Sequence, residues 1–312
     1  MDKFLVTGGA GFIGSNICRR LLKEGYFVRV VDNLITGKMR NLSDIINGIE
    51  FVEADMGDGS VARKAMKDID VVLHQGALPS VPRSVDDPAA THQHCVNATF
   101  TLLLAARDAQ VKRFVYAASS SAYGDAPSLP KLETMPAQPL SPYAAAKVAG
   151  EYYAKVFYKV FGLETISLRY FNVFGPYQDP MSQYAAAIPA FVTAILKDEP
   201  PTIYGDGEQS RDFTYVDNVV EANLLAAQAE HTAGEVLNIA CGQRITVNEI
   251  ITMINELLGK DIQPVYTEPR PADVKHSLAD ISLAADTIGY APIVSFSEGL
   301  EKAIDWYREN LI

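Results

Sequence analysis

The stretch Ser141-Pro142-Tyr143-Ala144-Ala145-Ala146-Lys147 sets a phenol and an ammonium four residues apart. Pro142 suits a helix start, where its missing N–H costs little, and Ser141 is a natural N-cap. On that helix Tyr143 and Lys147 share one face. A phenol with a pKa near about 10 is a poor base at neutral pH, but an ammonium one turn away and a cationic ring beside it would favour the phenolate. The pair could then remove a proton from a hydroxyl group. The same spacing also arises on amphipathic helices whose Tyr and Lys merely line an edge. Its weight here comes from following Ser119-Ser120-Ser121, a run that ends an apolar strand and could otherwise be a plain polar turn.

A second constellation opens the chain. Phe4-Leu5-Val6 leads into Thr7-Gly8-Gly9-Ala10-Gly11-Phe12-Ile13-Gly14, after which Ile17, Leu21 and Leu22 recur at helical spacing. This reads as a buried strand, a tight turn and a helix. Gly8, Gly11 and Gly14 would let backbone approach a pyrophosphate, to which the helix start offers free N–H groups and a positive dipole end. The spacing is GxxGxxG rather than GxGxxG, and a chance turn could produce it. Context strengthens the dinucleotide reading: the strand Phe27 to Val31 ends in Asp32, 18 residues past Gly14, where a carboxylate can bond the adenosine ribose.

The elements that would position these groups alternate through the first half. A helical stretch is expected from Asp32 to about Asn47, then a strand Glu50 to Ala54, a helix near Val61 to Lys67 and a strand Val71 to Leu73. A long helix Pro88 to Ala109, a strand Arg113 to Ala118, a helix Tyr143 to Phe161 and a strand Thr165 to Leu168 follow. Apolar strands separated by helices imply a parallel sheet covered on both faces, a doubly wound α/β fold with ligands at the C-terminal strand ends. Asp55 closes one such strand and could bind the adenine amino group, or be an ordinary turn aspartate. His74-Gln75-Gly76-Ala77 closes the next, and Asn97 sits within an otherwise apolar helix, where it could simply bond to backbone.

Beyond Leu168, the aromatic-rich run Arg169 to Phe174 ends in Gly175-Pro176, which suggests the chain leaving the sheet for a second region. A helix Ala185 to Leu196 belongs there, and Tyr204 to Phe213 reads as a hairpin turn delivering Arg211. A helix Val216 to Ala229 and a strand Val236 to Ile239 return towards the first sheet. Thr246-Val247-Asn248-Glu249 is a capping box for a helix to Leu258. Two last helices are expected, one near Asp280 and one capped by Ser297.

Hydrophobic residues at 48% and charged residues at 21% are ordinary for a globular chain, and no apolar run reaches 18 residues, so a soluble, cytoplasmic protein without a membrane partner is expected. Three cysteines without CxxC spacing and five histidines without a ligand pattern argue against disulfides and a metal site. A net charge of −11 disfavours a nucleic-acid partner and means that an anionic ligand needs a local arginine cluster.

Taken together, Thr7 to Gly14, Asp32-Asn33-Leu34, Ser119 to Gly124, Tyr143 to Lys147, Arg169 to Pro176, Arg211-Asp212-Phe213 and Arg270 to Ser277 resemble the extended short-chain dehydrogenase/reductases, in the branch of NAD-dependent nucleotide-sugar epimerases. The resemblance spans essentially the whole chain. It implies a Rossmann-type NAD domain over residues 1–172, joined by about 214–240, and a smaller nucleotide-sugar domain over 173–312. The NAD contacts it implies are Gly8, Gly11, Phe12, Ile13, Gly14, Asp32, Asn33, Gly37, Asp55, Met56, Gln75, Ala77, Tyr143, Lys147 and Tyr170. Ser119 would bond the sugar 4-hydroxyl, Tyr143 would take its proton, Lys147 would bind the nicotinamide ribose and Asn97 would support the site. For the substrate it implies Ser80, Val81, Arg83, Ser120, Ser121, Ala186 and Tyr204, with Asn172, Arg211 and Arg270 on the diphosphate and Asp273 on the uridine ribose.

The implied reaction moves hydride from sugar C4 to NAD and back to the other face of a 4-keto sugar. Asp32 suits NAD better than NADP, because a 2′-phosphate would meet a carboxylate. Relatives that dehydrate the sugar carry an Asp-Glu pair where this chain has Ser120 and Ser121, so 4-epimerisation is favoured. Ser277 stands where a bulky tyrosine would exclude an N-acetyl group, which resembles epimerases of UDP-N-acetylglucosamine and UDP-N-acetylgalactosamine. Pro79 replaces a glycine expected before Ser80 and narrows a loop beside the sugar. UDP-glucose/UDP-galactose and UDP-N-acetylglucosaminuronate are the alternative substrates, Arg83 being able to pair with a C6 carboxylate, and an oxidoreductase releasing its product is the remote one. A homodimer through the helices Pro88 to Ala109 and Tyr143 to Phe161 is also implied.

Overall fold

A computed structural model of the chain describes residues 2–180, 187–269 and 275–311. The strands are β1 (Lys3–Thr7), β2 (Phe27–Asp32), β3 (Glu50–Glu53), β4 (Val71–His74), β5 (Arg113–Ser119), β6 (Glu164–Tyr170), β7 (Val173–Phe174), β8 (Thr202–Tyr204), β9 (Ser210–Arg211), β10 (Thr214–Tyr215), β11 (Glu235–Ile239), β12 (Ile245–Thr246) and β13 (Val265–Thr267). The helices are α1 (Phe12–Lys23), α2 (Gly59–Ala65), α3 (Val81–Asp86), α4 (Pro88–His92), α5 (Ala98–Asp108), α6 (Pro142–Phe161), α7 (Ala187–Leu196), α8 (Val216–Gln228), α9 (Val247–Leu258), α10 (Ser282–Ile288) and α11 (Phe296–Leu311).

Seven parallel strands form one sheet in the order β11-β6-β5-β4-β1-β2-β3. The strand order reverses between β1 and β4, and a doubly wound sheet opens its ligand crevice at that point. The interior strands are buried along nearly their whole length, which explains their continuous Val/Leu/Ile character. One apolar layer, including Ile17, Leu21, Val219 and Leu224, lies beneath α1 and α8; the other, including Leu102, Leu103, Ala106 and Phe157, lies beneath α2, α5 and α6. The expected return of Val236 to Ile239 to the first sheet is observed as β11, paired with β6.

Several expectations are corrected. The stretch after Asp32 is not a helix: it holds short 3-10 turns at Met39–Leu42 and Ile46–Gly48. The Asp32 carboxylate caps Leu34 N–H at 2.8 Å, and Leu34 has φ +59°, so the chain turns there instead of coiling. Tyr204 to Phe213 is not a hairpin. Gly205 and Gly207, both at positive φ, turn the chain so that β8 pairs with β13 and β9 with β12. The last helix is capped by Ser295 rather than Ser297, since Ser295 Oγ accepts from Glu298 N–H and the Glu298 carboxylate accepts from Ser295 N–H. Pro88 to Ala109 is one rod interrupted by a wide π turn at Gln93–Asn97, and α3 is an extra short helix capped by Ser80.

Candidate active site

The turn after β1 is built for close approach. Gly8 has φ +68°, and a Cβ there would lie 2.6 Å from the Gly76 Cα; a Cβ on Gly14 would lie 2.3 Å from the Gly8 carbonyl oxygen. Only hydrogen fits at both positions, leaving a backbone cradle at the first turn of α1, whose N-cap is Gly11. Phe12 and Ile13 follow in that turn. At the next strand end Asp32 is 5% exposed and accepts from Ala10 N–H at 2.9 Å. Burial pushes its carboxyl up, against its two backbone N–H bonds. Gly37 packs directly over this carboxylate.

Asn33, Met56 and Ala77 line one small cleft together with His94. Asp55 borders it, accepting from Gly57 N–H at 2.7 Å with His94 Nδ1 3.9 Å away. A larger groove along α9, lined by Asn248, Asn255 and Tyr266 among others, contains none of the expected site residues. Gln75 and Tyr170 meet in a closed ring of hydrogen bonds: Tyr170 donates to Gln75 Oε1 at 3.1 Å, Gln75 donates to Asn223 Oδ1 at 2.9 Å, and Asn223 donates to the Tyr170 hydroxyl at 2.8 Å. Asn223, on α8, had no motif to announce it. A cradle free of Cβ atoms, followed by a buried carboxylate on the second strand, fits the diphosphate and ribose of NAD.

At the end of β5, Ser119 N-caps a 3-10 turn, and the Ser121 hydroxyl donates to Ser119 Oγ at 2.9 Å, with Ser120 between them. Ser119 lies close enough to the Tyr143 phenol for its hydroxyl to act on the phenol's ionisation. Ser141 Oγ caps α6 as expected, accepting from Ala144 N–H at 3.1 Å. Lys147 is 3% exposed; its Nζ donates to the Ala117 carbonyl at 2.7 Å and lies 5.0 Å from the Tyr116 ring centroid and 5.9 Å from that of Tyr143. Burial pushes the Tyr143 phenol up, Cys95 adds to this and the Ser119 hydroxyl opposes it. The ammonium thus lies beside both rings, tied to the strand by the Ala117 carbonyl.

Beneath these groups runs a buried chain that sequence reasoning missed. Thr7 Oγ1 is 2.6 Å from His74 Nδ1, His74 Nε2 is 2.9 Å from Thr99 Oγ1, and Thr99 donates to the Cys95 carbonyl at 2.6 Å. Because the Thr99 proton is engaged by Cys95, Nε2 carries the imidazole proton and Thr7 donates to Nδ1. Burial and the nearby Lys147 charge push His74 down to about 3, so it is neutral. Asn97 departs from expectation: it is exposed and donates to Gln93 Oε1 at 2.7 Å, on the side of the rod that holds Asp55 rather than Tyr143.

The substrate residues gather from distant segments. Ser80 has φ +105°, a strained value for a residue with a Cβ, and Val81 and Arg83 follow it on α3 beside exposed Pro79. Asn172, at φ +35°, donates to the Asp212 carbonyl at 2.9 Å. Arg211 Nη1 donates to the carbonyls of Ser210 and Lys275, both at 3.0 Å, and Ser277 N–H donates to the Ser210 carbonyl at 3.0 Å, which brings Ser277 beside Arg211. Tyr204 is exposed near this edge. Asp212 is the anchor: its carboxylate accepts from the backbone of Cys241, Gly242 and Ala279 at 2.9, 3.0 and 3.2 Å, while burial pushes it up to about 6. Ala186, Arg270 and Asp273, with the expected helix start at Ala185, lie outside the described residues.

A doubly wound parallel sheet with a glycine cradle on its first strand, and a Ser-Tyr-Lys cluster between a later strand end and the following helix, defines an enzyme of the short-chain dehydrogenase/reductase type. The chain belongs to the NAD dependent epimerase/dehydratase family, whose model matches residues 4–240, and it is an NAD-dependent epimerase-type enzyme. A solved UDP-N-acetylglucosamine 4-epimerase from Methanobrevibacter ruminantium, in complex with UDP-N-acetylmuramic acid, is 42% identical with a TM-score of 0.95, covering 99% of this chain and 98% of that one. The UDP-glucose 4-epimerase of Thermus thermophilus, solved with NAD, is 36% identical with a TM-score of 0.90, and 99% of each chain is covered. The UDP-glucose 4-epimerase of Mycolicibacterium smegmatis is 37% identical over 310 residues, 98% of either chain. No helix among the described residues is long and apolar enough to cross a membrane.

Proposed function

We propose that this protein is a UDP-sugar 4-epimerase whose preferred pair is UDP-N-acetylglucosamine and UDP-N-acetylgalactosamine. The observation that carries the reading is the convergence of Ser119, Tyr143 and the buried Lys147 at the end of β5, beside a turn that offers hydroxyls, Ser120 and Ser121, rather than carboxylic acids. Tyr143 takes and returns the proton of the sugar 4-hydroxyl, which Ser119 holds in line. Lys147 binds the nicotinamide ribose and keeps positive charge beside the phenol. NAD, when bound, supplies reversible acceptance of the C4 hydride. The cradle Gly8, Gly11 to Gly14 holds its diphosphate; Asp32, Asn33 and Gly37 hold the ribose, Asp55, Met56 and Ala77 the adenine side, and Gln75 and Tyr170 the floor.

Arg211 grips the sugar-nucleotide diphosphate, with Asn172 and, outside the described residues, Arg270 and Asp273 completing that side. Residues 173–213 and 241–312 form the nucleotide-sugar side in this reading. The N-acetyl preference draws support from the small Ser277 beside Arg211 and from the M. ruminantium relative's own activity. A homodimer is part of the proposal: Tyr152, Val156 and Val160 on α6 and Phe100 on α5 are 64, 46, 65 and 36% exposed, an apolar stripe suited to a second copy. Light scattering at micromolar protein tests it, a monomer sinking it.

The deciding experiment follows the sugar anomeric protons by NMR while purified protein acts on UDP-N-acetylglucosamine without added cofactor. UDP-N-acetylgalactosamine should appear, and the same mixture should be reached from the other side. Conversion of UDP-glucose or UDP-N-acetylglucosaminuronate alone would move the assignment to that sugar. Net formation of NADH, read at about 340 nm, would mean an oxidoreductase instead.

A further inference from the structure

Glu151 and Arg169 form a buried ion pair that none of the roles above employs. Glu151 lies one turn beyond Lys147 on α6, and the two are 5% and 3% exposed. Arg169 donates from Nε to Glu151 Oε1 at 2.9 Å and from Nη2 to Oε2 at 2.7 Å, a bidentate fork that fixes the carboxylate. The guanidinium lies over the Tyr123 ring, 4.6 Å from its centroid, and the Tyr123 hydroxyl donates to Asn238 at 2.7 Å. In the sheet Ala117 stands opposite Leu168 and Ala118 opposite Arg169. The Lys147–Ala117 bond and the Glu151–Arg169 fork thus cross from one helix to adjacent rungs of two neighbouring strands. Stability alone is a weak reason for such a pair, because well-packed apolar residues of similar volume often serve as well.

We infer that Glu151 is the counter-charge that keeps Lys147 an ammonium inside the protein, with Arg169 as the clamp that orients its carboxylate. Glu151 is then a positioning residue for the chemistry proposed above, on which this inference rests. Burial pushes Lys147 down from the ordinary lysine range, and Cys95 and Glu151 oppose that. The other groups facing Lys147 are Tyr143 on its own helix, Tyr116 from β5, Cys95 from the π turn and His74 from β4. Burial pushes both tyrosines up, the Ser119 hydroxyl opposing this at Tyr143, and holds His74 as a neutral imidazole. Among these described groups Glu151 is the carboxylate, and removing its charge leaves Lys147 to the burial effect and the unpaired Arg169, with only Cys95 opposing them.

The test is the pH dependence of kcat for Glu151→Gln, with nucleotide-sugar KM measured at each pH. Loss of activity on the alkaline side should begin at least about half a pH unit lower than in the unaltered enzyme, with KM little changed, since Lys147 would give up its proton sooner. Where Glu151→Gln fails to fold, Glu151→Gln/Arg169→Gln removes both charges and keeps amide hydrogen bonds; since loss of the Arg169 charge partly offsets loss of the Glu151 charge, a smaller displacement in the same direction is expected. An alkaline limb that stays in position in the folded variant, with only a lower melting temperature, overturns the inference and leaves the pair a structural brace. Lys147→Met separates the two failures. If it keeps full activity the underlying reading falls, whereas a dead Lys147→Met beside an unmoved Glu151→Gln profile overturns the inference alone.

Discussion

Ser119, the last residue of β5, and Tyr143, in the first turn of α6, lie close enough that the serine hydroxyl opposes the rise that burial imposes on the phenol, although 24 positions separate them in the chain. The phenol is half-buried, with the serine hydroxyl as a neighbour at its polar end. Replacing Tyr143 by Phe removes the hydroxyl and little volume. Turnover should fall by about 10²- to 10⁴-fold, as expected for loss of a general base. NAD extracted from the purified variant should equal that from the unaltered protein. A variant keeping most of its activity would exclude Tyr143 as the base.

Gly14 tests the cradle independently of the chemistry. A Cβ at that position would sit 2.3 Å from the Gly8 carbonyl oxygen and 2.8 Å from the Gly9 Cα, both backbone atoms that cannot swing aside. Gly14→Ala should force the turn open and lose bound NAD at purification, measured by nucleotide extraction. Retention of one NAD per chain would show that this turn does not form the cofactor's seat.

His74 carries a pH signature. Its folded pKa is about 3 against an ordinary value of 6.5, so below about 6.5 the unfolded chain takes up a proton that the folded protein refuses. Its contribution is complete above that value and is lost as pH falls, by about 2 kcal/mol at pH 5. Asp212 acts in the opposite sense: it is pushed up to about 6, so protonation between there and 3.8 favours the folded state. The His74 effect is therefore read by difference. Urea unfolding at pH 7.5 and 5 should show a steeper loss for the unaltered protein than for His74→Asn, and equal slopes would contradict the buried neutral imidazole.

Asp212 ties the segment carrying Arg211 to the backbone of Cys241, Gly242 and Ala279. An amide cannot accept from all three N–H groups and turns a donor towards them. Asp212→Asn should cost on the order of 2 kcal/mol, by analogy with other hydrogen bonds to charged groups, and should raise KM for the nucleotide sugar more than it lowers kcat. An unchanged KM would detach Asp212 from the arginine it is argued to hold.

The site was readable where a local element carries it. Thr7 to Gly14 and Ser141 to Lys147 each lie on one turn and one helix, and strand burial follows from apolar runs, so the seven-stranded sheet and both motifs could be read from spacing. What stayed hidden depends on long-range partners. Asn223, His74 and the pair of Glu151 and Arg169 have meaning only once α8, β4, α6 and β6 are packed together. Asn97 is singled out by its polar side chain in an otherwise apolar stretch, and its bond to Gln93 depends on a π turn that spacing does not announce. The hairpin expected around Tyr204 failed because its two halves pair with β13 and β12, which lie later in the chain.

In the N-acetyl reading proposed above, Ser277 is the residue that sets which sugar the pocket accepts. Its N–H bonds the Ser210 carbonyl at 3.0 Å, and Ser210 precedes the arginine proposed to hold the diphosphate. The Ser210 hydroxyl also meets His276 Nδ1 at 2.9 Å, so the segment is pinned on both sides of residue 276 and a larger side chain at 277 cannot move away as a unit. Ser277→Tyr should therefore fill the space that an N-acetyl group needs. Turnover of UDP-N-acetylglucosamine should drop by about 10²-fold or more, while UDP-glucose, which carries only a hydroxyl at C2, should keep a rate within several-fold of its starting value. Loss of both activities together would mean a collapsed pocket rather than a wall. Equal rates before and after would mean that the C2 substituent points elsewhere, and the specificity would then have to be sought at the strained turn of Pro79 and Ser80.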